Sequence, residues 1–308
     1  MFSERPSTWR DRMKLDPRMV RSFSVFAVLV ILITFYLLLI RPSQLRWGAT
    51  SEEVRRTMPG DDLVAHPTFV ATRAITIRGR PEDIWPWIAQ MGFDRAGYYG
   101  YDLIENLGSK TGIRSAESIV PDLQHPKTGD VLPISSVAHM TFGNIQPNQY
   151  LIWQSEAVPH DGAFTWELYP VDQSHTRLIS RIRLRYHWTS SALGLDLFTE
   201  FADHVAVPRI LLGVRNRVEG RAPKSLAEEA MEIVVWILAL VELAIASVLV
   251  FSWRRWWRAW ALALGAGSLL MFALYSHASL WIGAALGCGM AVLILRLSRH
   301  VSLRSSQT

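Results

Sequence analysis

Apolar positions along this chain fall into three patterns. From Phe23 to Ile40 they run nearly unbroken, interrupted by Ser24 and Thr34. As a helix that run covers about 27 Å, close to the depth of a bilayer core. Similar runs return at 233–253, 256–275 and 280–295, the last two separated by Ser276-His277-Ala278-Ser279. Four membrane helices are therefore predicted, the last two as a tight antiparallel hairpin. Small residues in that hairpin, Gly265 and Gly267 facing Gly283 and Gly287, would let the backbones approach closely.

Between the apolar runs the pattern breaks into short amphipathic pieces. Thr50 to Met58 reads as a short helix, with Thr50 as N-cap and Glu53 completing a capping box, stopped by Pro59-Gly60-Asp61-Asp62. Thr68 to Ile77 is rich in β-branched residues and reads as a strand. Arg80-Pro81-Glu82-Asp83 opens a helix that Pro86 keeps short and Gly92 ends. Residues 94–128 read as loops and short helices, and Asp130 onward turns strand-like. Tyr150–Glu156, Ala163–Tyr169 and Thr176–Trp188 alternate as strands, the last two joined by a turn at Asp172-Gln173-Ser174. In the last strand Leu178, Ile182, Leu184, Tyr186 and Trp188 share one face. Arg177, Arg181, Arg183, Arg185 and His187 share the other, which predicts a solvated face neutralised by nearby acids or one meeting anionic head groups. Leu195 to Val218 reads as a long helix with a possible kink at Pro208. The order predicts an α+β fold, an antiparallel sheet gripped by a long C-terminal helix, with a mostly apolar cavity between them.

Charge adds a direction. The 308 residues carry a net +5, placed beside the apolar runs: +3 over residues 1–21 and +4 over 232–308, against −2 over 41–231. A slightly acidic folded region argues against nucleic acid as a partner. Putting the basic N-terminus, Arg254, Arg255, Arg258, Arg296, Arg299 and Arg304 in the cytoplasm obeys the positive-inside rule. Both termini are then cytoplasmic and the central region is extracytoplasmic, in a multi-pass protein of the cell membrane. The expected division is a basic N-terminus (1–22), a span (23–40), a linker with a short helix (41–66), a folded domain (67–220), a linker (221–232), three spans and a cytoplasmic tail (296–308). Arg41-Pro42-Ser43 after the first run offers no small-x-small cleavage site, so it reads as an uncleaved anchor rather than a signal peptide. Glu242 lies in the second span, and a protonated Glu bonded to a neighbouring helix accounts for it.

Candidate chemistry is sparse. The lone Cys288 rules out an intrachain disulfide and a cysteine-rich metal module. His139, His160, His187 and His204 lack metal-ligand spacing, and no phosphate loop or nucleophile elbow occurs, so no metal or other cofactor is implied. Tyr98, Tyr99, Tyr101, Asp102, Glu105 and Asn106 form the densest polar-aromatic cluster. They read either as a pocket entrance with Asp102 or Glu105 orienting a guest, or as an aromatic loop packed on the sheet.

Four stretches carry a resemblance. They are Trp47-Gly48-Ala49-Thr50 with Met58-Pro59-Gly60-Asp61; Thr72 to Ile77 with Trp85 to Gly92; Arg95 to Asp102; and Thr176 to Arg181. Over about 47–220 the chain resembles a bacterial, membrane-anchored branch of the START-like helix-grip superfamily, also called SRPBCC or polyketide cyclase/dehydrase-like. The resemblance implies a domain binding a hydrophobic small molecule or lipid. Cavity candidates are Trp87, Tyr98, Tyr99, Tyr101, Asp102, Glu105, Trp153, Trp166, Phe201 and His204. The lipid bilayer is the other expected partner. Two alternatives stand beside this: a structural or sensory membrane protein whose domain binds another protein, and a cyclase- or dehydratase-like enzyme using acid-base residues. No nucleophile for covalent catalysis is visible.

Overall fold

A computed structural model describes residues 17–156, 160–186 and 189–252, with 260, 262–267, 269, 282, 285–293, 295 and 296. The chain divides into two compact units, one built mainly on Ser43–Trp236 and one from the chain on either side of it.

In the outer unit, α1 (Pro17–Phe35) runs through a π turn (Tyr36–Ile40) into α2 (Arg41–Leu45). Among the described residues this is the one helix, Ser22–Leu45, long and apolar enough to cross a membrane, and none of its most apolar window is buried. The run expected at 233–253 falls on one helix, α7 (Leu226–Ser252), as far as Ser252, Trp253 lying outside the described residues. The expected span at 256–275 falls mostly outside the described residues; that at 280–295 is described at 282, 285–293 and 295, and Gly283 lies outside them. Where the pair is described, a Cβ on Gly265 would meet Met290 Cε at 2.7 Å, and one on Gly287 would meet Leu269 at 3.6 Å. Gly267 has no neighbour within 4 Å of such a Cβ, so the close approach is made by Gly265 rather than by both.

The central unit is α+β. Its six-stranded antiparallel sheet has the order β1-β6-β5-β4-β3-β2. The strands are β1 (Phe69–Arg78), β2 (Val131–Pro133), β3 (His139–Gln146), β4 (Tyr150–Gln154), β5 (Gly162–Pro170) and β6 (His175–Leu184). Strands β2 to β6 form a meander, and β1 pairs with the last strand. The short edge strand β2 ends on Pro133, at an edge where a missing N–H costs no ladder bond. Strand β6 stops at Leu184 rather than Trp188. Its partners begin there: Leu184 is opposite Phe69 on one side and Gly162 on the other. Beyond it, Tyr186 N donates to Thr68 Oγ1, a side chain, while His187 and Trp188 lie outside the described residues.

Helix α3 (Ser51–Arg55) carries the expected capping box: Glu53 N donates to Thr50 Oγ1 and Thr50 N to Glu53 Oε2. It is shorter than the expected 50–58, ending at Arg55. α4 (Pro81–Ala89) has Pro at its first turn and tolerates Pro86 within nine residues. α5 (Asp102–Glu105) is a single turn, and α6 (Leu193–Val218) is the long C-terminal helix. One face of the sheet, with α4 and the second half of α6, forms a single core. Trp166, Phe142, Leu151 and Leu178 from the strands meet Ile84, Ile88, Leu211 and Val214 from the helices.

The arginine face of β6 requires a correction. It neither lies open to solvent nor faces head groups, because residues 47–64 strap across it. Arg177 pairs with Glu53, and Arg181 is 4 % exposed, donating to Asp61 and to the carbonyls of Glu53, Val54 and Arg56. Arg183 donates to the carbonyl of Val64. Thr165 Oγ1 reaches the carbonyl of Pro59, and Ala74 N donates to the carbonyl of Trp47. A strap with few strand bonds leaves its carbonyls free, and guanidinium forks satisfy several at once.

Candidate functional site

The core-facing side of the sheet carries polar groups in a row. Strand register sets Arg73 opposite Ser180, and Ser180 opposite Trp166. Residues directly opposite share a face, so all three point to the helix side with Phe69, Ala71 and Ile75. Trp153 lies on the same face one strand over, its ring 5.3 Å from that of Trp166 and 6.3 Å from Tyr98.

From above, α6 lowers two groups onto this row. Arg73 Nη1 and Nη2 donate to Asp203 Oδ1 and Oδ2 at 3.1 and 2.6 Å, a bidentate ion pair with both partners buried. Arg73 Nε donates to the carbonyl of Gln44. His204, wholly buried, has Nδ1 3.5 Å from Asp203 and Nε2 3.8 Å from Glu200. Burial alone would raise the Asp203 carboxyl, but the charge of Arg73 and the hydrogen bonds from His204 and Arg73 outweigh it and hold it low.

The rest of the row is not satisfied. Trp153 Nε1, Trp166 Nε1 and Ser180 Oγ are buried and meet no partner among the described residues. Leaving a buried donor unpaired costs about 1–3 kcal/mol. Three such groups on one face of one core call for an ordered water or a guest with acceptors.

The loop after α4 is built differently. Tyr98 donates to the carbonyls of Pro133 and Ile134. Tyr99, at φ +69°, donates to the carbonyl of Trp87, receives Arg217 over its ring at 4.3 Å, and stands edge-on to half-buried Trp87. Tyr101 accepts from Arg209 Nε, and Arg209 pairs with Glu232. Burial raises all three phenols well above their usual range. Asp102 accepts from Ser115 Oγ and Asn106, while Glu105 Oε2 accepts from Gly100 N and Tyr101 N. Burial pushes the Glu105 carboxyl up to about 8, and its Oε1 has no partner. Both acids thus cap their own loop.

The structure therefore brings Trp153, Trp166, Tyr98 and His204 into one core with α6. It sets Tyr99 and Tyr101 in the adjoining loop, Asp102 and Glu105 in α5 and Trp87 in α4, and turns Phe201 outward at 44 % exposure. Among the described residues, Trp153 and Trp166 pack with Leu211 and Val214 of α6 in one buried cluster. An open recess of about 420 Å³ lies near the β2 edge, lined by Phe93, Asp94, Lys110, Val131, Val137 and His139. Sequence reasoning missed Arg73, Ser180 and Asp203. Arg73 had a signal: it stands in the apolar phase of β1, where an arginine requires a buried acid.

No family model matches the chain, and no curated protein does. Solved structures similar to it include a protein from Mesorhizobium loti (15% identity, 50% of this chain and 99% of that one, TM-score 0.30). Others are a polyketide-cyclase-like protein from Corynebacterium glutamicum (11% identity, 49% and 91%, TM-score 0.32) and the Aha1 dimer of Colwellia psychrerythraea (12% identity, 49% and 97%, TM-score 0.27). Likeness at this level carries no argument about function.

Proposed function

We propose that this chain is a membrane-anchored START-like domain that binds an apolar small molecule or lipid bearing hydrogen-bond acceptors. One observation carries the reading: two indole N–H groups and a serine hydroxyl, buried on the helix-facing side of the sheet, have no partners. A guest with a carbonyl or carboxyl would satisfy them, while its hydrocarbon part would replace contacts between Trp153, Trp166 and α6. The anchoring half of the proposal is supported by the apolar helix Ser22–Leu45 and the basic residues flanking the apolar runs.

The test uses the full chain in mild detergent, titrated with Nile red, an apolar dye with a ring carbonyl. Saturable binding is expected, and Trp166→Phe, which keeps the ring and removes the N–H, should weaken it about 5- to 10-fold. Absence of saturable binding, or an unchanged affinity in a folded Trp166→Phe, would remove the basis for the reading.

One observation favours a second, sensory reading. Tyr101 and Arg209 grip the start of α7 through Glu232, which also meets Lys224, and through Trp236, whose ring lies 5.1 Å from Tyr101. A shift of α6 would be felt directly by that helix.

A further inference from the structure

Helix α6 reverses its polarity along its length. In its second half the apolar Val207, Ile210, Leu211 and Val214 are buried against the sheet. In its first half the acids Asp196, Glu200 and Asp203 are buried, while Leu193, Leu195, Leu197, Phe198 and Phe201 are 43–68 % exposed. Leu193, Leu197 and Phe201 stand at i, i+4, i+8, one line along the helix, with Phe198 beside it and Leu195 further round. Between residues 189 and 202 the charged side chains are Asp196 and Glu200, both buried, so the outward face carries no charge.

Exposing a Leu or Phe that could be buried forfeits about 1.5–3 kcal/mol, and a clustered set of exposed apolar side chains marks an interaction surface. The chemistry of the patch selects the occupant. A protein interface carries about one hydrogen bond per 100–200 Å² and a polar rim. Hydrocarbon asks for none, and this face offers almost none, Ser190 and Ser191 at its start apart. Chain connectivity points the same way. Seven residues (219–225) separate α6 from α7, at most about 25 Å of extended chain, and five (46–50) separate α3 from the apolar helix ending at Leu45.

We infer that the first half of α6 docks on the lipid bilayer, its Leu/Phe face entering the boundary between head groups and acyl chains while Asp203 and Glu200 stay turned toward Arg73 and His204. Such a helix lies in the plane of the interface. With no exposed cation, it needs no anionic lipid. The inference rests on the membrane-anchored reading above and goes beyond it, because anchoring by the chain ends does not require the domain itself to touch lipid.

The experiment uses the full chain in phosphatidylcholine nanodiscs, with Cys288→Ser removing the native thiol. Spin labels are placed singly at Phe198→Cys, at Val30→Cys in the apolar helix, and at Lys127→Cys on the exposed loop. Collision with oxygen is compared with collision with a water-soluble nickel chelate. Oxygen should dominate at 198 and 30, and the chelate at 127. If 30 is in lipid but 198 favours the chelate, the docking inference fails and the anchor stands. If 198 is shielded from both reagents, a protein covers the patch and the inference fails. If 30 favours the chelate, the anchored reading fails and the inference falls with it.

Discussion

A single arginine sets the character of the core. Arg73 brings a charge into an otherwise apolar strand face, and Asp203 answers it from α6 with both oxygens. Breaking a buried pair is far more costly than never having built it. Asp203→Asn should therefore lower stability by about 3–5 kcal/mol. The joint change of Arg73→Met and Asp203→Leu should recover much of that loss, read by tryptophan fluorescence during denaturation in detergent. Glu105 makes a pH prediction of the opposite kind. Its carboxyl is raised from 4.5 to about 8 in the folded chain, so the native state keeps a proton that the unfolded chain has released. Stability should then fall as pH rises from about 5 to about 8, by about 2–4 kcal/mol from this group, and level off above. Glu105→Gln keeps an oxygen to accept from Gly100 N and Tyr101 N and should flatten that slope; an equally steep slope would show that another group titrates.

Elements meet here through close backbone approaches. Gly213 in α6 sits against the Tyr99 carbonyl, and a Cβ there would lie 2.0 Å from that oxygen. Neither backbone can yield cheaply, because Tyr99 is held in the left-handed region by its bond to Trp87 and by Arg217 over its ring. Gly213→Ala should push α6 off the 98–101 loop and cost about 2–3 kcal/mol, visible as a lower melting temperature. Hydrogen exchange should quicken in residues 98–106 while β5 and β6 stay protected. The strap over the other sheet face is held by both means: guanidinium bonds to its carbonyls, and at Gly48 a backbone approach in which a Cβ would lie 2.1 Å from the Ala74 carbonyl oxygen.

For the whole molecule the prediction concerns direction. On the proposed anchored reading, the positive-inside rule applied to the basic residues beside the apolar runs predicts a central unit outside the cytoplasm. A cysteine at Lys127, in the Cys288→Ser background, should react with a membrane-impermeant maleimide in intact cells as fast as in lysed ones. Labelling only after lysis would put the domain on the cytosolic side and reverse the topology.

Local chemistry alone determined much of this protein. The Thr50 capping box, the Pro81 helix start, the β-branched strand at 68–77 and the Asp172 turn follow from interactions within a few residues of each other, and the structure keeps them all. The α+β order follows from them. What the chain's own periodicity could not decide is which surface covers which. The acids that neutralise the arginines of β6, Glu53, Asp61 and Asp161, stand in the sequence, but the strap carbonyls that cover this face leave no mark in side-chain pattern. The first half of α6 reads simply as part of a long helix, because periodicity shows that two faces differ, not which one turns inward. Arg73 settled that, by drawing Asp203 into the core from 130 residues away, and only the folded sheet brings the two together.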